Sequence, residues 1–190
     1  MNAKLILHPE TIALILIDLQ VGIVSTPTTP HSVTEVLNNS NKLIKDFHKN
    51  NATVVFVKVS YSSDGKNKLK MEVDEPAFRS GDRPKDWSDI SSSLERYEND
   101  LLITKHQWGA FYNTGLDLEL RRRGINTIVL GGIATNYGVE STARDAYERG
   151  YQLVFASDAM ASRDAGDHEF AINRVFPRLG KVGNTDEIIG

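Results

Sequence analysis

Two side chains of opposite charge close apolar runs in this sequence. Asp18 ends residues 11–18 (TIALILID), and Lys105 ends residues 100–105 (DLLITK). A third apolar run, residues 126–132 (NTIVLGG), leads into Gly131-Gly132-Ile133-Ala134-Thr135-Asn136-Tyr137-Gly138, a turn that opens a helical pattern. A carboxyl group can give or take a proton, and an ammonium group can bind an anion or orient water. The free N–H groups at a helix start can hold developing negative charge. Each feature also has a plainer reading. An Asp after a strand commonly caps or turns. A lone lysine commonly lies in solvent, and a Gly-Gly pair also permits close packing. Gathered at one sheet edge, the three form a plausible active site for a small molecule.

The elements that must bring them together read as strands alternating with helices. Residues 11–18 and 53–59 (TVVFVKV) are near-continuous apolar runs, as expected of strands covered on both faces. Between them, residues 32–50 carry Val33, Val36, Leu37, Leu43, Ile44 and Phe47 at helical spacing, and the Asn50-Asn51 pair breaks the pattern. Residues 100–105 predict a third strand. Residues 116–123 predict a short helix ended by Gly124. Residues 126–132 predict a strand, and 136–150 a helix with Val139, Ala143, Ala146 and Tyr147 inward. Residues 152–156 predict a further strand, with Asp158 after it. Residues 168–176 predict a helix stopped by Pro177, and Lys181-Val182 a last short strand. This alternation predicts an α/β fold: one domain over residues 1–190, a three-layer α/β/α sandwich on a central, mainly parallel sheet. In open sheets of this kind, ligands bind beyond the carboxyl ends of the strands, where Asp18, Lys105 and the glycine turn stand. The polar stretch 60–89 fits none of these elements. It reads as a lid, binding loop or packing arm that Phe78 and Trp87 could anchor.

The composition removes several function classes. The 190 residues carry a formal charge of −3 and no cysteine. Disulfides, thiolate metal sites and a thiol nucleophile are therefore absent together. The charge gives no case for nucleic acid or an anionic membrane as partner. The apolar run near Met1 is short for a signal peptide and no segment reaches a membrane span, so a cytoplasmic protein is expected. No G-x-G-x-x-G or P-loop pattern follows a strand, and no cofactor is expected.

The three chemical features also carry a family resemblance. The segments ALILIDLQ (13–20), ITKHQWGAF (103–111) and GGIATNYGVESTARDAYERGY (131–151) resemble the isochorismatase-like hydrolases, also called cysteine hydrolases. The likeness spans nearly the whole chain. It implies a catalytic trio at Asp18, Lys105 and Gly138, where most members have Asp, Lys and Cys. Glycine thus stands at the nucleophile position. The resemblance further implies a non-proline cis peptide between Ile133 and Ala134, with oxyanion donors from the N–H groups of Ala134 and Gly138. Some relatives hold zinc through Asp and two His in the loop after the second strand. Residues 61–87 contain no histidine here, and no metal site is expected. Members often form dimers or tetramers whose middle loop completes a neighbour's pocket, so a homo-oligomer is expected.

A thiolate would form an acyl intermediate with an amide carbon. Gly138 cannot. True isochorismatases, one branch of the family, hydrolyse a vinyl ether without a protein nucleophile and can carry glycine at this position. In that chemistry Asp18 would be the acid, while Lys105 would bind a substrate carboxylate or orient water. Gln20, Trp108, Phe111 and Tyr137 are the candidate substrate-binding residues. Isochorismate-type hydrolysis is the leading expectation. The alternative is an inactive family member that binds a small molecule; bulky side chains filling the space around Asp18 would favour it.

Overall fold

The computed structural model describes residues 8–75 and 83–190. Six strands form one sheet: β1 (Ile12–Ile17), β2 (Thr53–Val59), β3 (Leu101–Lys105), β4 (Thr127–Ile133), β5 (Gln152–Ala161) and β6 (Lys181–Gly183). Their order is β3-β2-β1-β4-β5-β6, and every neighbouring pair is parallel. The sheet is therefore wholly parallel, and its strand order reverses direction at β1, between β2 and β4.

The six side chains of β1 are all buried because each face of the strand meets its own core. Ala13, Ile15 and Ile17 pack with Leu116 and Leu120 of α3 (Leu116–Arg122) and with Ala143 and Ala146 of α4 (Glu140–Glu148). Ile12, Leu14 and Leu16 pack with Val36, Leu43, Ile44 and Phe47 of α2 (Val33–Lys49). Each fully buried Leu or Ile contributes about 1.5–3 kcal/mol, so two-faced burial fixes the central strand strongly. Ser32 and Glu35 form a capping box that starts α2, a device worth about 1 kcal/mol.

Gly132 shows why β1 and β4 can lie so close at their carboxyl ends. Its φ is +125°, and a Cβ there would overlap the backbone of Ile17.

Several expectations need correction. Strand β5 runs on to Ala161, past the Ser157-Asp158 pair that looked like its end. A register shift between Leu130 and Gly132 lets it continue beside Ile133. The helix expected over 136–150 begins as a π-helical turn, Thr135–Val139, before α4. Tyr147 points outward, 52% exposed, because only Val139, Ala143 and Ala146 meet the sheet. The helix expected over 168–176 starts earlier, as α5 (Ala165–Phe170), where Asp164 accepts from the N–H groups of Gly166 and Asp167. Two short helices were not foreseen: α1 (Val21–Val24) after β1, and α6 (Thr185–Ile189) near the end.

Within the long loop, Trp87 lies against Gly22, where a Cβ would collide with the indole. The N–H of Gly22 donates to the Trp87 carbonyl at 3.0 Å, and that of Val21 to Asp89 O at 2.8 Å. Trp87 thus anchors the loop; Phe78 lies outside the described residues.

Candidate active site

The carboxyl ends of β1, β3 and β4 converge on one small cavity of about 50 Å³, room for a few water-sized groups. Asp18 follows β1 directly. Its N–H donates to Val57 O at 2.9 Å, and its φ is +54°. Asp tolerates this left-handed conformation better than most residues, and the chain turns away there while the carboxyl group enters the cavity wall.

Lys105 ends β3 and is 2% exposed. Its Nζ donates to Asp18 Oδ2 at 2.7 Å, to Trp108 O at 2.7 Å and to Gln107 O at 3.1 Å. An ammonium group has three donors, and all three are engaged. In this geometry Lys105 holds Asp18 and has no free donor for a substrate carboxylate or a water. Asp18 Oδ1, in contrast, has no hydrogen-bond partner among the described residues.

Burial pushes the Asp18 carboxyl up to about 6, while the nearby Lys105 charge and hydrogen bond restrain the rise. Leaving water disfavours the carboxylate more than one lysine favours it. The group is poised to hold or release a proton close to neutrality.

Gly138 lies beside this pair. A Cβ there would stand 2.9 Å from Ile17 Cγ2, 3.0 Å from Asp18 Oδ2 and 3.5 Å from Lys105 Nζ. The first two distances are tighter than ordinary contacts, so the acid occupies space that a larger residue at 138 would need. The Ile133–Ala134 peptide is cis, and both Ile133 and Ala134 line the cavity.

Trp108 and Tyr137 form one wall, with ring centroids 4.9 Å apart. They line the space around Asp18 without filling it. Two proposed contacts do not reach the cavity. Gln20 is fully buried; its Oε1 accepts from Val59 N at 2.8 Å and its Nε2 donates to Val59 O and Trp87 O, each at 3.1 Å. It ties β2 to the anchored loop, and its polar atoms are spent. Phe111 is 3% exposed and packs in the core near Tyr151, because its segment turns inward after Trp108.

Tyr61 and Arg163 are among the lining residues that escaped the sequence reading. Tyr61 follows β2 by two residues, and the Arg83 guanidinium lies 4.9 Å from its ring centroid. Arg163 follows β5. Its Nη1 donates to Thr26 O and Pro27 O, and its Nη2 to Ile23 O, at 2.6, 2.9 and 2.9 Å. Ser157-Asp158 masked the true end of β5, and with it the strand-end position that Arg163 occupies.

The turn itself is fastened from behind. Thr135 Oγ1 contacts His168 Nδ1 at 2.9 Å, and Asn136 Nδ2 donates to Asp167 Oδ2 at 2.9 Å. Burial, and secondarily His31, lowers His168 to about 4, so it is neutral near pH 7. His106 also stays outside the cavity lining, with Nδ1 2.6 Å from Ser60 O.

The protein is thus a wholly parallel α/β sheet that carries a buried acid–lysine pair beside a glycine turn at its strand ends. Residues 12–187 match the isochorismatase domain family, and the chain belongs to that family of hydrolases. It is similar to the uncharacterized isochorismatase family protein YwoC of Bacillus subtilis, with 47% identity over 93% of this chain and 92% of that protein. Among solved structures, an isochorismatase family protein from Burkholderia thailandensis superposes with a TM-score of 0.90 at 43% identity, covering 95% of this chain and 94% of the other. N-carbamoylsarcosine amidase from Thermoplasma acidophilum has a TM-score of 0.75 at 27% identity, covering 95% and 99%. No helix among the described residues is long and apolar enough to cross a membrane.

Proposed function

We propose that this protein hydrolyses a small anionic vinyl ether, with isochorismate the leading substrate, using Asp18 as general acid and no protein nucleophile. The observation that carries the reading is the divided state of the Asp18 carboxyl: Oδ2 is held by Lys105, while Oδ1 lacks a partner among the described residues and burial raises the group to about 6.

In the first step the Asp18 proton moves to the terminal carbon of the enol-pyruvyl double bond. The π electrons form the new C–H bond, and the ether oxygen stabilises the oxocarbenium ion that results. Water adds to the internal carbon, the one bonded to the ether oxygen, and gives up a proton to the Asp18 carboxylate, which restores the acid. The hemiketal then collapses to pyruvate and an alcohol. The net change is addition of one water and cleavage of one C–O bond.

Gly138 suits this chemistry, since no attacking side chain is required there. The N–H groups of Ala134 and Gly138 would hold substrate oxygen as charge develops. Arg163 uses three of its five N–H donors on backbone carbonyls; the remaining two would take a substrate carboxylate, the task Lys105 is too occupied to perform. Trp108 and Tyr137 would flank the substrate's apolar body. Amide hydrolysis through a thiol, the usual family route, requires a cysteine that this chain does not have.

The test is pyruvate release from isochorismate by the purified protein, with Asp18→Asn in parallel. Release by the wild type and its loss in the variant are expected. No release, or equal release from both, overturns the reading.

A further inference from the structure

The turn that opens α4 has no cap of its own. Ala134 stands at the cap position of the π-helical turn and Val139 at that of α4, and neither makes a side-chain cap hydrogen bond. A capping side chain would occupy the first N–H groups. Its absence leaves them for a ligand, and it also removes the local fastening that a cap supplies.

The fastening comes from α5 instead. Thr135 Oγ1 meets His168 Nδ1 at 2.9 Å in a buried contact, with Thr135 0% and His168 4% exposed. Thr135 Oγ1 has no other hydrogen-bond partner among the described residues. The neighbouring contact of Asn136 with Asp167 is exposed, where water can replace either partner. Neither Thr135 nor His168 lines the cavity, whereas Ala134, Tyr137 and Gly138 do. The hydroxyl thus reaches away from the site while its neighbours in the chain border it. The His168 ring is itself set in place: the His31 ring stands edge-on to it, with centroids 5.6 Å apart, and burial keeps it neutral near pH 7. A neutral ring fixes the hydroxyl without adding a charge to the site.

We infer that His168 is a positioning residue: through Thr135 it sets the direction of the Ala134 and Gly138 N–H groups, and so acts on the chemical step and not on substrate binding. The inference rests on the catalytic reading of the same cavity. Arg163, the proposed grip on a substrate carboxylate, is held separately by the carbonyls of Ile23, Thr26 and Pro27. Loss of the His168 contact therefore leaves that grip in place.

Four variants test this on pyruvate release from isochorismate. His168→Leu and Thr135→Val, which remove one partner each, should lower kcat about tenfold to a hundredfold and leave KM within about twofold. The double variant should lose no more than either single one. His168→Asn places an amide group where Nδ1 stood, and His168→Gln places one where Nε2 stood; the first should restore most of the lost kcat and the second should not. Thermal melts on the same proteins separate the roles. A packing role makes kcat follow stability, whereas positioning makes it follow the polar atom at the Nδ1 position. Unchanged kcat in His168→Leu, a loss confined to KM, additive losses in the double variant, or equal activity of the Asn and Gln variants overturns the inference.

Amide hydrogen exchange asks the same question without substrate. The N–H groups of Tyr137 and Val139 both donate to Ala134 O at 3.2 Å. In His168→Leu and Thr135→Val they should exchange about tenfold faster, while the amides of β1 keep their rates. If the wild-type protein releases no pyruvate, the catalytic reading fails, and faster exchange still supports the fastening of the turn by His168. Unchanged exchange overturns the inference whether or not pyruvate appears.

Discussion

A carboxyl group contacts a side-chain nitrogen at each end of strand β3, and the two ends differ. At its carboxyl end, Lys105 meets Asp18 at 2.7 Å beside a cavity. Just before its first residue, Asp100 Oδ1 meets His48 Nε2 of α2 at 2.8 Å. Tyr97 covers that second contact, with its ring centroid 3.9 Å from that of His48 and its N–H donating to Asp100 Oδ2 at 2.7 Å. Both carboxyl groups are deeply buried. Only Asp18 adjoins a described cavity and backs onto a glycine. An acid–base contact alone therefore does not mark a site. Free space for a guest and the adjoining glycine distinguish the end proposed to do chemistry from the end that fastens α2 to the sheet.

Exchanging the acids tests this contrast most strongly. Asp18→Asn should lower kcat by about 10²–10⁴, the usual range for a lost general acid. Asp100→Asn should leave kcat unchanged and lower the melting temperature. Equal losses of activity at both ends would erase the distinction.

Removing the base at each end should give a smaller but still unequal effect. Lys105→Met strands a buried carboxyl group and two backbone carbonyls, and should cost about 3–5 kcal/mol in denaturant unfolding. Because Lys105 holds the Asp18 carboxyl down, its loss should also move the acidic titration above about 6. His48→Ala at the partly exposed end should cost about 1 kcal/mol or less and leave the pH profile in place.

The pH dependence sharpens the comparison further. A general acid works only while protonated, so activity should be highest below about pH 6 and fall about tenfold per unit well above it. At pH 7 about a tenth of the protein would carry the working proton. A rate that rises with pH would assign Asp18 the role of base. The smallest change is Gly138→Ala. One methyl group presses on Ile17 and Asp18, and kcat should fall several-fold with little loss of stability, read from steady-state kinetics beside a thermal melt.

Much of the scaffold was legible because two-faced strands leave uninterrupted apolar runs. Residues 53–59 are β2 without change, and the reach of α2 followed from its apolar spacing and the Asn50 stop. Asp18, Lys105 and Gly138 were legible because strand ends converge in a parallel sheet. Gln20 and Phe111 were misread because nearness in sequence to a strand end does not give side-chain direction. The first turns into a backbone latch and the second into the core. Arg163 was missed because polar Ser157-Asp158 lie inside β5, where Asp158 Oδ1 accepts from Thr185 N and Oγ1. That pairing is distant in sequence and leaves no local signal.

The most direct measurement follows the Asp18 carboxyl carbon by ¹³C NMR across pH, alongside kcat/KM for pyruvate release, which reports the same group in the free enzyme. Coincident transitions at about 6 are expected. An Asp18 resonance that titrates near its ordinary value of 3.8, or a rate indifferent to its protonation, would contradict acid catalysis by this residue.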